Sequence, residues 1–478
     1  MIHPPLWTVE AMAAAMDCAR AGPLPDSVCG ISIDSRTIAP GEAFFAIKGE
    51  SRDGHDFVAA AIKAGAALAV VETRQRSRFG EEIPLLLVQD VLGALGDLAR
   101  AARDRCKAKI VAVTGSVGKT GTKEALRLAL ANQGETHASA ASYNNHFGVP
   151  LSLARCPERA RFAIYELGMN HAAEIEPLAR QVRPHVVIIT AIEPVHLEFF
   201  PSIDAIADAK SEIFLGLERG GTAVLNRDNA QFTRVENNAR RAGVERIISF
   251  GQSGGADAQM LACALDSEGS TVRARVLGIE LTYRLGAPGY HVAMNSLAVL
   301  AAIELLGADV RTAAAALADL QPPAGRGARL TIDGPRGTFL LIDESYNANP
   351  ASMRAALAVL GQANGAARRI AVLGDMLELG PAATSLHREL ADKIVSEDID
   401  LVFCCGPLMR ALWDALPPAR RGSYAPTSAE LAEHVLAAIE PGDIVMVKGS
   451  LGSRMGAIIK AFESRRAPRA SLSSELRA

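Results

Sequence analysis

The chain has 478 residues, 49% of them hydrophobic and 22% charged, with a formal net charge of −3. That length is too great for one core and suggests about three domains, while the balance excludes a disordered chain and the slight negative charge argues against a general nucleic-acid binder. No apolar run approaches the ~20 residues of a membrane span, and the first residues, MIHPPLWTVEAMAAAMDCARAG, lack the basic start and apolar stretch of a signal peptide. A cytoplasmic protein without membrane or nucleic-acid partners is therefore expected. The seven cysteines form no C-x-x-C pair, and read as small buried hydrophobes in a reducing compartment.

In chain order, short apolar runs alternate with helical patterns, the signature of α/β architecture. In the first block ISIDSR, AFFAIKG, ALAVVE and PLLLVQD read as strands, with a helix near HDFVAAAIKAGA and another from Val91 to Cys106 leading out. The second block opens at AKIVAVTG. Its predicted strands are Ile110–Val113, Phe162–Glu166, Val186–Thr190, Thr222–Leu225 and Arg246–Phe250, paired in parallel through crossover helices. TVRARVLG and IELTYRLG then read as an antiparallel hairpin, and PGYHVAMNSLAVLAAIELLG as a turn and a long apolar helix. LQPPAGRGARL, 320–330, reads as a linker. A third block has predicted strands at Phe339–Ile342, Arg369–Leu373, Leu401–Cys404 and Asp443–Val447, and the polar end reads as a disordered tail. The expected division is 1–106, 107–325 and 326–462, with 463–478 as the tail.

The stretch VAVTGSVGKTGTKEAL carries the strongest chemistry. A strand ends at Thr114. Gly115, Ser116, Val117 and Gly118 make a turn whose N–H groups point inward, and Lys119 and Thr120 open a helix. Phosphate oxygens gain from those N–H groups and the helix dipole, Lys119 reaches terminal phosphates, and Thr120 offers a hydroxyl to Mg2+. The common phosphate-loop consensus has a further glycine where this chain has Val113.

Three more features sit at predicted strand ends, where ligands gather in open α/β sheets. Glu166, in FAIYELGMN, suits a metal ligand or a helix cap equally well. His196 follows HVVIITAIEPV, and Lys210 lies on the helix after Ser202. In the third block LIDESYNANPASM ends a strand in Asp343 and Glu344, acids that suit a ribose hydroxyl. Its asparagines also fit turn chemistry alone. LGDMLELG and VMVKGSLGSRM each follow a strand with a glycine-containing turn and a charged residue.

Taken in order, TGSVGKT, YNNHFGVPLSL, ELGMN, HLE followed by AK, NRDN, DESYNANPASM, LGDMLELG and VKGS resemble the Mur ligases, ATP-dependent amide-bond ligases of peptidoglycan precursor synthesis. The set is most similar to the members that add D-alanyl-D-alanine to UDP-N-acetylmuramoyl-tripeptide. The short phosphate loop is the form this family uses. The resemblance implies an α/β fold of three domains: a small N-terminal UDP-substrate domain, a central parallel-sheet ATPase domain and a C-terminal domain of dinucleotide-binding, Rossmann-like type that binds the dipeptide. It implies that Lys119 and Thr120, with the rest of the loop from Thr114, hold ATP and one Mg2+. Glu166 and His196 would help hold metal, and Lys210 would be carried as a carbamate. Asn295 would lie near adenine, Arg326 or Arg329 would reach the phosphates, and Asp343 or Glu344 would face the ribose. Ser35 and Arg36 would take the UDP-sugar, with Asn144 and Asn145 near its peptide arm. Asn347, Asn349, Asp375 and Lys448 would serve substrate binding, the last two toward the dipeptide. One departure is Val292, where the family usually has Asn after the His. A monomer acting on small molecules is implied.

Rival readings are a sister Mur ligase, a folylpolyglutamate synthase-like ligase, a phosphate-loop switch, and a nucleotide-binding regulator without turnover. The diaminopimelate-adding type would carry a DNPR-like motif, which the chain lacks, and a switch gives no reason for SYNANP.

Overall fold

The computed structural model describes residues 5–49, 52–140, 142–195, 197–266, 269–334, 336–363 and 365–464. Three main sheets carry the chain. A five-stranded sheet runs in the order Ala19–Ala21, Leu85–Val88, Leu68–Glu72, Glu42–Phe45, Gly30–Ser32, parallel except for its first strand. The strand expected over ISIDSR stops at Ser32, because the Asp34 carboxylate accepts the Arg36 N–H at 2.9 Å and turns the chain.

The central sheet has nine strands. Lys109–Thr114 lies between Phe162–Glu166 and Val186–Ile189, all parallel, and the parallel run continues through Thr222–Asn226 and Arg246–Gly251. Residues of these strands alternate between two cores. Val111 and Val113 join the cluster beneath the helix Tyr290–Leu305, while Ile110 and Ala112 join the opposite one. A parallel sheet covered on both faces requires this, and each fully buried Val or Ile contributes about 1.5–3 kcal/mol. The hairpin forms as Gly269–Val276 and Ile279–Leu285, turning through Leu277 and Gly278, both at positive φ. A third strand, Ala258–Asp266, was not legible: it pairs with the hairpin on one side and with Arg246–Gly251 on the other.

The six-stranded C-terminal sheet runs Ala328–Gly334, Gly337–Glu344, Ile444–Lys448, Arg369–Gly374, Leu401–Cys405, Arg421–Ala425, parallel apart from its first strand. Both edge strands escape the sequence pattern. Ala328–Gly334 takes in the last three residues of the expected linker, and RGSYA, 421–425, has no apolar run. The helix Gly456–Ser464 takes in Glu463 and Ser464, the first two residues of the expected tail; 465–478 lie outside the described residues. Among the described residues no helix is long and apolar enough to cross a membrane.

The two joints differ. The N-terminal unit shares a core with the central one: Leu151 and Ala154 of the helix Gly148–Ala154 pack in the N-terminal cluster. Trp7 Nε1 donates to the Ala154 carbonyl at 2.8 Å, and Arg155 Nε to that of Ile31 at 2.6 Å. The C-terminal unit meets the central one across a cleft, where Arg326 donates to Ser142 Oγ at 3.3 Å and the Glu198 N–H to the Glu378 carbonyl at 3.3 Å.

Candidate active site

The floor of that cleft is the phosphate loop. Gly115 and Gly118 stand at φ 146° and 84°, and neither tolerates a side chain. A Cβ at Gly115 would lie 2.0 Å from Thr190 Oγ1, and one at Gly118 2.4 Å from Asn295 Nδ2. The loop is strapped to the segment after the strand Val186–Ile189. Thr190 Oγ1 donates to the Val117 carbonyl at 2.6 Å. Ser116 Oγ accepts the Glu193 N–H at 2.9 Å and donates to the Glu193 carbonyl at 3.0 Å. Lys119 opens the helix Lys119–Ala131 and its ammonium donates back to the Gly115 carbonyl at 2.7 Å. Burial lowers its affinity for a proton, and the Arg326 charge adds to this against the pull of Glu166. Anionic phosphate oxygens entering the loop would relieve that cost.

Beside the lysine, Glu166 is 1% exposed at the end of its strand. Its two oxygens are gripped separately: Thr120 Oγ1 donates to Oε2 at 2.9 Å and Asn144 Nδ2 to Oε1 at 2.8 Å. Ser142 Oγ stands 3.4 Å from Thr120 Oγ1. These are hard oxygen donors on a carboxylate and hydroxyls, a set that suits Mg2+ rather than a thiophilic metal. Among the described residues no group of three His, Cys, Asp or Glu forms a metal cage. His196 lies outside the described residues. Lys210, on the helix Ile203–Ser211, is 1% exposed, and burial, then the Lys119 charge, holds its amine well below the usual lysine range.

The facing wall comes from the C-terminal unit. Arg326 lies 4.4 Å over the Tyr346 ring and points at Ser142. Lys448, 2% exposed, donates to Glu344 Oε2 at 3.1 Å and to the Asn347 carbonyl at 3.0 Å. Glu344, Asn347, Asn349, Lys448, Arg326 and Arg329 line one cleft of about 980 Å3 together with Asn144, Asn295, Glu166 and the loop.

Other expected residues lie elsewhere or have their polar atoms taken by neighbouring groups. Ser35 and Arg36 sit in the N-terminal unit, Arg36 exposed and paired with Asp34 at 2.6 Å. Asn145 Oδ1 accepts the Gly148 N–H at 3.0 Å, capping the helix Gly148–Ala154. Asp343 spends its oxygens on the Gly325 and Ser345 N–H groups, at 3.1 and 3.0 Å. Asp375 accepts the Met409 N–H at 2.8 Å and packs against Gly406, where a Cβ would be 2.4 Å from its carboxyl carbon. Burial pushes its pKa up. Asn349 lines the cleft, but its side chain accepts the Ser352 N–H at 2.9 Å in a capping box. Val292 lines the cleft and packs on the central core, with no polar group to offer.

Thr190, Ser142, Glu193 and Tyr346 were missed as site residues. Thr190 ends the apolar run HVVIIT, so the strand-end rule had marked it. Ser142 carries no such mark: only folding sets it between Thr120 and Arg326.

A phosphate loop on a parallel sheet, an oxygen-donor corner beside it and a second α/β domain closing the cleft define a nucleotide-dependent enzyme of three domains. Comparison makes the class specific. The Mur ligase family, catalytic domain matches residues 27–103, the Mur ligase middle domain 113–303, and the Mur ligase, glutamate ligase domain 328–451. The chain belongs to the Mur ligase family. It is 32% identical to the UDP-N-acetylmuramoyl-tripeptide--D-alanyl-D-alanine ligase of Rickettsia prowazekii over 91% of this chain and 95% of that one. The same-named protein of Bacillus subtilis is also 32% identical, over 90% and 92%. The crystal structure of MurF from Acinetobacter baumannii superposes with a TM-score of 0.82 at 30% identity, covering 96% of this chain and 100% of that one.

Proposed function

We propose that the chain is the ATP-dependent ligase that joins D-alanyl-D-alanine to UDP-N-acetylmuramoyl-tripeptide, giving the UDP-pentapeptide, ADP and phosphate. The supporting observation is the Glu166 carboxylate held between Thr120 and Asn144 beside Lys119, in a cleft that the second domain lines with Arg326 and Lys448. The acceptor follows from the printed names of relatives that match across about nine-tenths of the chain. The working division is 1–106 for the UDP-sugar, 107–325 for ATP and 326–462 for the dipeptide.

In this reading the loop N–H groups and Lys119 hold the β- and γ-phosphates of ATP, and Asn295 lies against the loop toward the base. The tripeptide carboxylate attacks the γ-phosphorus, giving an acyl phosphate. Lys119 and Arg326 or Arg329 offset the charge that gathers on the phosphoryl oxygens, so positioning and electrostatics carry the step. The dipeptide amine, oriented from the Lys448 side, attacks the acyl carbon and phosphate leaves. Closure of the C-terminal domain across the linker excludes water that would hydrolyse the acyl phosphate. Thr120 and Glu166 would hold Mg2+, and the family resemblance makes His196 and Lys210 further candidates for that role. Bound there, Mg2+ supplies positive charge to the phosphates. Lys210 deprotonates readily where it is buried, and a neutral amine is the form that adds CO2 to become a carbamate, exchanging a cation for an oxygen ligand. The protein acts on small molecules in the cytoplasm, as a monomer.

The test is phosphate release with ATP and Mg2+, supplying the two substrates separately and together. Release that needs both, with the UDP-pentapeptide as product, is expected. Turnover with a single amino acid in place of the dipeptide would move the reading to a sister ligase, and release indifferent to both would overturn it.

A further inference from the structure

Two thiols outside the cleft lie together. Cys106 caps the helix Val91–Arg105, where the N-terminal unit hands the chain to the phosphate-loop strand, and Cys156 follows the helix Gly148–Ala154. Their sulfurs are 3.6 Å apart, both residues are buried, and both are free. By sequence they are 50 residues apart, so nothing in the cysteine spacing announces the pair. Cys18, Cys29 and Cys263, by contrast, are half-buried.

From this geometry we infer that Cys106 and Cys156 form a redox-modification site, a dithiol that a peroxide converts to a disulfide. A disulfide requires the sulfurs to approach by about 1.5 Å from where they stand. The two thiols share a hydrogen bond, which with the Arg103 and Arg105 charges beside Cys106 lowers its pKa and favours its thiolate. The same hydrogen bond and burial raise Cys156. Cys106 is therefore the attacking sulfur and Cys156 the resolving one. A cavity of about 900 Å3 is lined by Arg105, Lys107, Arg155 and Pro157, the chain neighbours of both cysteines, and is the approach this proposal gives a small oxidant.

The chemistry balances with one peroxide per pair. The Cys106 thiolate attacks a peroxide oxygen, the O–O bond breaks, and the departing hydroxide takes a proton to become water. This leaves a sulfenic acid on Cys106. The Cys156 sulfur then attacks the Cys106 sulfur, the S–O bond breaks, and the leaving oxygen departs as a second water with the Cys156 proton. Two thiols are oxidised by two electrons and the peroxide is reduced by two. The ring so closed contains the phosphate loop, Lys119 and Asn144, and it staples the joint between the N-terminal and central units.

The experiment treats the folded full chain with hydrogen peroxide, alkylates the remaining thiols under denaturing conditions, and maps the digest. The expected result is one peptide pair joined through Cys106 and Cys156, restored by dithiothreitol, with a melting temperature higher than that of the reduced chain. Cys156→Ser is expected to stop at a sulfenic acid on Cys106 that a cyclic-dione probe captures. Both cysteines remaining alkylatable while Cys18, Cys29 or Cys263 oxidise would overturn the inference, as would Cys106 passing to sulfinic acid without a cross-link. The mapping on the unmutated chain decides the matter even if the variant fails to fold. It uses no substrate, so it fails or succeeds separately from the ligase assay.

Discussion

The two walls of the cleft present the same kind of sequence and use it differently. Each has a hydrophobic strand ending in an acid followed by a turn. On the central wall Glu166 meets only side chains, Thr120 and Asn144, and its charge faces the phosphate loop. On the C-terminal side Asp343, Asn349 and Asp375 give their oxygens to backbone N–H groups of nearby turns and helix starts. Among the described residues, the ion-paired Glu344 and Lys448 and the linker arginines Arg326 and Arg329 present charge to the cleft from that side. The difference teaches that a strand-end acid is available for chemistry when the fold leaves its lone pairs to side chains and ligand, and is structural when the backbone consumes them.

The sharpest way to test this contrast is Lys119→Met. Phosphate release is expected to fall about 10^3-fold, with no loss of melting temperature, because the change removes a desolvated ammonium. Next is Glu166→Gln, which keeps an acceptor for Thr120 but loses the charge. A fall of about 10^2-fold is expected, together with a higher Mg2+ requirement in the same assay. Asp375→Ala should do the reverse: a loss of about 1–2 kcal/mol in urea unfolding, with kcat/KM for the dipeptide changed far less than by Glu166→Gln. If Asp375→Ala instead abolished ligation at unchanged stability, the distinction between the two walls would fail.

A further expected effect, on stability alone, lies at the edge of the central sheet. His137 donates from Nε2 to the Ser152 carbonyl at 2.7 Å, and burial holds its pKa down at about 4, from an ordinary 6.5. Between those values the unfolded chain binds a proton that the folded chain does not, so stability rises with pH across the window and is lost as pH falls from 6.5 toward 4. His137→Gln should flatten that slope in melting temperature measured across the same range. A slope left unchanged would assign the acid sensitivity elsewhere.

Much was legible without coordinates. Apolar runs marked most strands of the two larger sheets, because a strand buried on both faces must be continuously hydrophobic. The phosphate loop was legible because its parts adjoin in sequence and two glycines are demanded by contacts with Thr190 and Asn295. The edge strands Ala328–Gly334 and Arg421–Ala425 were not, since an edge position asks less of side chains and draws its pattern from a neighbour. Nor was the Cys106–Cys156 contact, made between residues with no spacing rule to link them.

By itself, then, the sequence determined the α/β class, the order of three units and the short phosphate loop, all features written in local periodicity and adjacent residues. Tertiary structure alone decided which polar residues keep their hydrogen-bonding capacity for a ligand. Glu166 draws its partners from 22 and 46 residues away, and Asp375 surrenders an oxygen to a backbone N–H 34 residues on. Nothing in the sequence near a carboxylate records which donors the folded chain will set against it, and those donors decide whether its charge is spent on the backbone or left to face the substrate.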